Sequence, residues 1–179
     1  MADELKLTPT ESVIIRSSEP GLLEVEGIWA PPDRPPQTSR PNRPPPKHFH
    51  PNQDEHFEVI VGTLRARVDG AEHELSQGDA LDIPRGAVHQ MWNGGETEAR
   101  ASWQTRPAGR TEEWFRAVDA AIRREEQGGG GTPGPLAFGA LLSEFDDVFR
   151  LALAPQLVMR PLVGVLGRLG RARGYGAGG

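Results

Sequence analysis

Between residues 55 and 105 the chain is a succession of short segments in which apolar and polar residues alternate. Glycines separate these segments, and the Asp69-Gly70 pair has the composition of a tight hairpin turn. The segments run over residues 55–61, 63–68, 72–75, 80–83, 88–92 and 99–105, after two similar ones at 12–16 and 21–30. Many short strands at close, regular spacing predict a β-sandwich or a β-barrel.

A proline-rich stretch, residues 31–46, interrupts the strand pattern. Proline lacks the amide hydrogen that a central strand donates, so this stretch is predicted to be an extended loop. We therefore predict an all-β barrel domain over residues 1–109 that contains this loop.

After Pro107 the residue pattern becomes typical of helices. Thr111 is expected to cap a helix that ends at Gly128, and the glycine-rich segment 128–135 is typical of a flexible linker. Apolar residues at helical spacing then predict two amphipathic helices, one over 138–152 and one over 158–169. Residues 110–179 are thus predicted to form a helical C-terminal extension.

Composition narrows the kinds of site that are available. The chain has no cysteine, which excludes disulfides, thiolate nucleophiles and iron–sulfur clusters, so any metal must bind to imidazole and carboxylate groups. A net charge of −5, without a strongly basic half, argues against nucleic acid as a partner. Without a signal-like start or an apolar run long enough to span a bilayer, the expected location is the cytoplasm.

Four side chains have the spacing of a metal site. His48 and His50 are separated by one residue, so on a strand both imidazoles project from the same face. Glu55 follows across a turn and His89 lies beyond a glycine-bounded hairpin, and each can supply a further ligand. Three imidazoles with one carboxylate suit one divalent ion of Fe, Mn, Ni, Cu, Co or Zn, and the sequence does not select among them.

These residues also carry a family resemblance. The run His48-Phe49-His50, four residues, Glu55, six residues, Gly62 resembles the first motif of the cupin family. The second motif is similar to the run Gly78, five residues, Pro84-Arg85-Gly86, two residues, His89, three residues, Asn93. The resemblance implies a cupin jelly-roll barrel, metal ligation by His48, His50, Glu55 and His89, and a homodimer.

The remaining candidate residues carry weaker signals. His56 and His73 lie outside the motif and are expected to be solvated. Four apolar side chains of the alternating strands are weak candidates for pocket walls, although such residues are usually core: Phe57, Val59, Met91 and Trp103.

Three functional hypotheses follow. The first is a metal-dependent enzyme acting on a small organic molecule, because the resemblance implies dioxygenase, decarboxylase or isomerase chemistry with Glu55 as an additional base. The second is a non-enzymatic module that binds a small ligand beside a structural or sensing metal. The third is attachment to an anionic membrane surface through the basic, amphipathic segment 152–179, with packing on the barrel or on a second subunit as the favoured alternative.

Overall fold

The computed structural model describes residues 3–31 and 44–175. In these ranges the strands are β1 Glu4–Thr8, β2 Glu11–Glu19, β3 Leu22–Trp29, β4 His48–Phe49, β5 Asp54–Val61, β6 Leu64–Val68, β7 Ala71–Leu75, β8 Ala80–Ile83, β9 His89–Asn93, β10 Ala99–Arg106 and β11 Arg150–Leu151. The helices are α1 Thr111–Gln127, α2 Pro135–Glu144 and α3 Gln156–Ala172. The predicted fold class, a β-structure with a helical C-terminal extension, is confirmed.

The strands form two antiparallel sheets, ordered β1-β2-β3-β10-β5-β8 and β11-β4-β9-β6-β7. Buried side chains from both sheets join in one hydrophobic core. On β10 the alternation is nearly strict, with Ala99, Ala101 and Trp103 buried and the intervening residues partly exposed. Apolar burial on one face therefore sets the register that the alternating sequence predicts.

Most of the proline-rich loop predicted over 31–46 lies outside the described residues. Its last part, residues 44–47, has no regular secondary structure and leads directly into β4. The strand β1 was not part of the sequence prediction. It pairs with β2, and helix α1 packs against it, with Asp119 Oδ1 accepting the backbone N–H of Lys6 at 2.9 Å.

Helix α1 covers the predicted range, but its cap differs from the prediction. Arg110 occupies the N-cap position, and Thr111 is the first helical residue. The Thr111 hydroxyl is buried and has no hydrogen-bond partner within the ranges that the structure describes. Glu112 and Glu113 in the first turn complement the positive end of the helix dipole instead.

The helix predicted over 138–152 is shorter in the structure. Helix α2 ends at Glu144, and Phe145 and Val148, both almost fully buried, belong to a turn that leads into β11. Strand β11 pairs with the outer edge of β4, and the Ala152 N–H donates to the carbonyl of Lys47 at 2.8 Å. The edge of a two-residue strand needs hydrogen-bond partners, and helical periodicity alone does not reveal this requirement.

Helix α3 packs one face closely on α2. A Cβ atom added to Gly170 would lie 2.3 Å from the carbonyl oxygen of Leu136, and one added to Gly139 would lie 2.6 Å from Leu166 Cβ. Small residues therefore allow the two helices to approach each other. In the described part of the chain, no helix is long and apolar enough to cross a bilayer.

Candidate metal centre

Three histidines converge at the end of β4. His48 on β4 pairs directly with His89 on β9, and His50 follows β4 by one residue. Each of the three offers a ring nitrogen, and these nitrogens lie within 4.8 Å of one another. His50 and His89 are buried and His48 is partly buried. The alternation predicted from the sequence thus brings the imidazoles together.

All three imidazoles are held by backbone carbonyl groups. Nδ1 of His48 lies 3.0 Å from the carbonyl oxygen of Pro46, and Nδ1 of His89 lies 3.0 Å from that of Ala87. Nδ1 of His50 lies 2.7 Å from the carbonyl oxygen of Val148. A carbonyl oxygen only accepts hydrogen bonds, so each Nδ1 carries the proton. In the neutral imidazole each Nε2 therefore keeps its lone pair for another partner, as in histidines that ligate metals.

Glu55 supplies a carboxylate from β5 in the other sheet. The indole Nε1–H of Trp103 donates to its Oε1 at 3.0 Å, and Nε2 of His50 lies 3.4 Å from the same oxygen. Oε2 lies 3.1 Å from Nε2 of His89. This oxygen is fully buried and, among the described residues, has no hydrogen-bond donor unless His89 carries a proton on Nε2. A buried anionic oxygen in this state needs a cation or a proton.

Burial and mutual charge shift the pKa values of these groups. Burial, together with the neighbouring imidazoles, lowers the pKa of His48 to about 3, and burial also lowers the pKa of His50. Burial opposes ionisation of Glu55, but the adjacent His50 and His89 outweigh it and lower its pKa to about 2. Burial also disfavours charged His89, yet the Glu55 carboxylate outweighs this effect and raises its pKa. The cluster therefore favours a bound positive charge next to an ionised Glu55.

The donor set fits a transition-metal ion. Three imidazole nitrogens with free lone pairs and one unpartnered carboxylate oxygen are borderline ligands of the kind that Fe, Mn, Ni, Cu, Co and Zn accept. Four protein ligands would leave positions open for a further molecule, and the cluster lies in the wall of a cavity.

This cavity has a volume of about 360 Å³ and is mostly apolar. Both sheets contribute to its wall, and so does the C-terminal extension, which supplies Trp114, Phe115, Val118, Ile122, Phe138, Phe149 and Leu151. Phe149 stacks on His48 with ring centroids 4.6 Å apart, and it also stacks on Trp114 at 5.0 Å. The extension is therefore a wall of the site.

The structure places the weaker candidates in different surroundings. Phe57, Met91 and Trp103 line the cavity, whereas Val59 is buried in the core and is not part of the described lining. Outside the cluster, Nδ1 of the partly exposed His56 lies 2.8 Å from Asp82 Oδ1. His73 on β7 pairs with Ala66 in register, far along the sheet from β4.

Sequence reasoning missed three residues of the site. Trp103 was considered only as a wall, but it also orients Glu55. Phe149 and Glu11 line the cavity, although they come from segments that flank the motif region at a distance. Only the helical spacing of Phe149 was visible in the sequence, and that spacing gave no indication of a cavity.

Comparisons with known proteins are consistent with this architecture. The family model described as a cupin domain matches residues 37–104. An oxidoreductase of Arthrobotrys oligospora is 45% identical over 49 residues, which are 27% of this chain and 19% of that protein. The tetracenomycin polyketide synthase protein TcmJ of Streptomyces glaucescens is 38% identical over 61 residues, which are 34% of this chain and 41% of that protein. The matched segment thus spans less than half the length of either relative.

A solved structure shares the fold. An RmlC-like cupin from Shewanella frigidimarina superposes with a TM-score of 0.51 at 15% sequence identity, covering 63% of this chain and 89% of that one. At this identity the likeness concerns the barrel itself.

Proposed function

Because the chain belongs to the cupin superfamily, we propose that it is a metal-dependent enzyme that acts on a small, largely apolar and aromatic molecule in the barrel cavity. One observation carries the proposal. The imidazoles of His48, His50 and His89 all donate Nδ1–H to backbone carbonyls, so in their neutral forms three Nε2 lone pairs are available. The buried Oε2 of Glu55 beside them then has no hydrogen-bond donor among the described residues.

His48, His50, Glu55 and His89 would hold the ion. When bound, the ion supplies Lewis acidity and, if it is iron, copper or manganese, one-electron chemistry. Trp103 keeps Oε1 of Glu55 engaged and so directs Oε2 toward the imidazoles. Val148, Ala87 and Pro46 fix the imidazole tautomers through their carbonyls. The aromatic walls exclude water and orient a flat substrate by stacking.

The names of the relatives support this class of reaction and substrate. One matched protein is called an oxidoreductase, and another is a tetracenomycin polyketide synthase protein. An apolar cavity with aromatic walls suits ring-containing molecules of that kind. Among the reactions that the family resemblance implies, the name oxidoreductase favours dioxygenase-like chemistry over decarboxylation or isomerisation.

Elemental analysis of protein purified without chelators or nickel resin is the first test. We expect about one transition-metal ion per chain, and its loss in His50→Ala and His89→Ala. His73→Ala is the matched control, because His73 lies outside the cluster, and it should retain the metal. An unchanged metal content in both ligand variants, or no metal after reconstitution, would contradict the proposed ligands.

Turnover is the second test. Oxygen uptake and product formation are measured with chelating phenols, diketones and hydroxy acids, in wild type and in the two ligand variants. Metal-dependent turnover supports an enzyme. A tightly held metal together with ligand binding but no turnover across the panel would favour the non-enzymatic binding module.

The exposed side chains of helix α3 favour a second function, which is separate from the metal centre. Its outward face exposes Leu157, Val158, Leu162, Val165 and Leu169, each of them at least half exposed. Arg168, Arg171 and Arg173 are also exposed, and no acidic residue lies within 152–179. We propose that this face rests on an anionic membrane surface, because two such basic helices would repel each other in a symmetric pair. The homodimer and the cytoplasmic location expected from the sequence stay predictions.

A further inference from the structure

The cavity holds one carboxyl group that is not part of the histidine cluster. Glu11 is the first residue of β2 and pairs in register with Trp29 on β3. Both residues line the cavity, as do Leu7 on β1 and Pro9 in the turn that follows β1. The other titratable residues in the described lining are His48, His50, Glu55 and His89. Glu11 is therefore a second polar position in a largely apolar chamber.

Glu11 differs from two carboxylates on adjacent strands of its sheet, which have partners. Glu4 accepts a hydrogen bond from Ser12, and Glu26 pairs with Arg16 and Arg100. In the described part of the chain, the Glu11 carboxyl has no hydrogen-bonding or ionic partner. Glu11 is partly buried, so a carboxylate beside this apolar wall loses part of its hydration without compensation.

The indole nitrogen beside Glu11 is also without a partner. Trp29 is 4% exposed, and its Nε1–H is fully buried without an acceptor among the described residues. The buried Trp29 donor lies on the strand next to the Glu11 carboxyl, and both residues line the cavity without a side-chain partner among the described residues. This arrangement matches a ligand with its own polar group at this position. Burial, followed by the charge of Glu55, raises the pKa of Glu11 to about 7, so that both protonation states are accessible near neutrality.

We propose that Glu11 is a catalytic proton acceptor for a phenolic or enolic molecule bound in this cavity. The proposal rests on the proposed function. In the step, the Glu11 carboxylate takes the proton of the O–H group, the oxygen keeps the bonding electron pair, and the products are a phenolate or enolate and a neutral carboxylic acid. The substrate thus has a hydroxyl group that faces β2, and this group is distinct from any group that faces the histidine cluster.

The fluorescence of bound 2-naphthol tests the step without knowledge of the natural substrate. Excited 2-naphthol is a much stronger acid than its ground state and transfers its proton to a neighbouring carboxylate, which gives the red-shifted emission of the naphtholate. The chain is loaded with zinc so that the four cluster residues hold an ion, and 2-naphthol is added above pH 7. The chain is in excess over 2-naphthol, because free 2-naphthol also transfers its proton to water. We then expect naphtholate emission from wild type and loss of this band in Glu11→Gln, because an amide does not accept the proton.

Two variants complete the test. Glu19→Gln, at the exposed end of the same strand, should keep the naphtholate band, and Glu11→Asp should keep it because a carboxylate remains. If Glu11→Gln does not fold by circular dichroism, Glu11→Ala replaces it and should lose the band as well. Equal naphtholate emission from Glu11→Gln and wild type, or no 2-naphthol binding to wild type, would overturn the proposal.

Zinc content separates this proposal from the proposed function. Glu11→Gln should bind as much zinc as wild type, because Glu11 is not a ligand. Unchanged emission with full zinc content would contradict the role of Glu11 alone, whereas absence of zinc from wild type would contradict the metal site.

Discussion

Nδ1 of His50 donates to the carbonyl oxygen of Val148 across 2.7 Å, between residues that are 98 positions apart in the chain. A metal-site histidine of the barrel is thus held by the C-terminal extension. Strand β11, which begins two residues after Val148, pairs with β4 and positions this carbonyl. The extension therefore contributes to the metal centre as well as to the cavity wall.

Removal of Val148 should weaken metal binding. A chain ending at residue 146 lacks the carbonyl and β11, whereas a chain ending at residue 152 keeps both and lacks only α3. We expect about 10–100-fold weaker binding in the shorter chain, the usual effect of losing an orienting hydrogen bond to a metal ligand. Competition titrations with a chromogenic chelator measure the difference, after circular dichroism has shown that both chains retain β-structure. Equal affinities would show that Val148 does not orient His50.

Trp103→Phe should weaken the metal site through Glu55. The ring contact with Phe57, at 5.1 Å between centroids, is largely preserved, but Oε1 of Glu55 loses its buried donor. We expect roughly tenfold weaker metal binding and a loss of about 2–4 kcal/mol in the free energy of unfolding. Trp92→Phe on β9, where the side chain is only partly buried, is the control and should leave metal binding unchanged.

The free energy of unfolding should depend on Glu11 between pH 4.5 and about 7. The folded chain holds the Glu11 proton more tightly than the unfolded chain, since its pKa is raised from 4.5 to about 7. The resulting contribution of Glu11 to the free energy of unfolding is on the order of 1–3 kcal/mol. It is fully present below pH 4.5 and is lost as the pH rises through 7. Urea unfolding at several pH values, at constant metal saturation, should show this slope in wild type and Glu19→Gln but not in Glu11→Gln. The same slope in all three proteins would show that the pKa of Glu11 is not raised.

The apolar face of α3 should direct the chain to anionic vesicles. Sedimentation with phosphatidylserine-containing vesicles should recover the wild type, and Leu162→Gln combined with Val165→Gln should reduce binding. Ile60→Gln combined with Val61→Gln is the matched control, because it removes a similar exposed apolar area from β5. Equal recovery of both double variants with the vesicles would contradict the membrane proposal. Light scattering tests the other partner: if wild type is a dimer and the α3 variant is a monomer, a second copy of the chain covers this face.

Local sequence was sufficient for most of the barrel. The period-two alternation of Ala99, Ala101 and Trp103 defines which face of β10 is buried, because successive strand side chains point to opposite faces. The same rule places His48 and His50 on one side, and the family motif indicates that His89, which pairs with His48, joins them. These relationships depend on residues close together in the chain or on a family motif, and the sequence displays both.

Only the tertiary structure decided what surrounds this cluster. The apolar spacing of segment 145–151 predicts a helix, but the segment forms a turn and strand β11 instead. Strand β11 pairs with the edge of β4, because backbone groups at that edge need hydrogen-bond partners. Likewise, nothing around Glu11 in the sequence distinguishes it from a solvated strand residue. Its environment arises because β2, β10 and the C-terminal helices enclose one apolar cavity, and such contacts between distant segments have no local signature in the sequence.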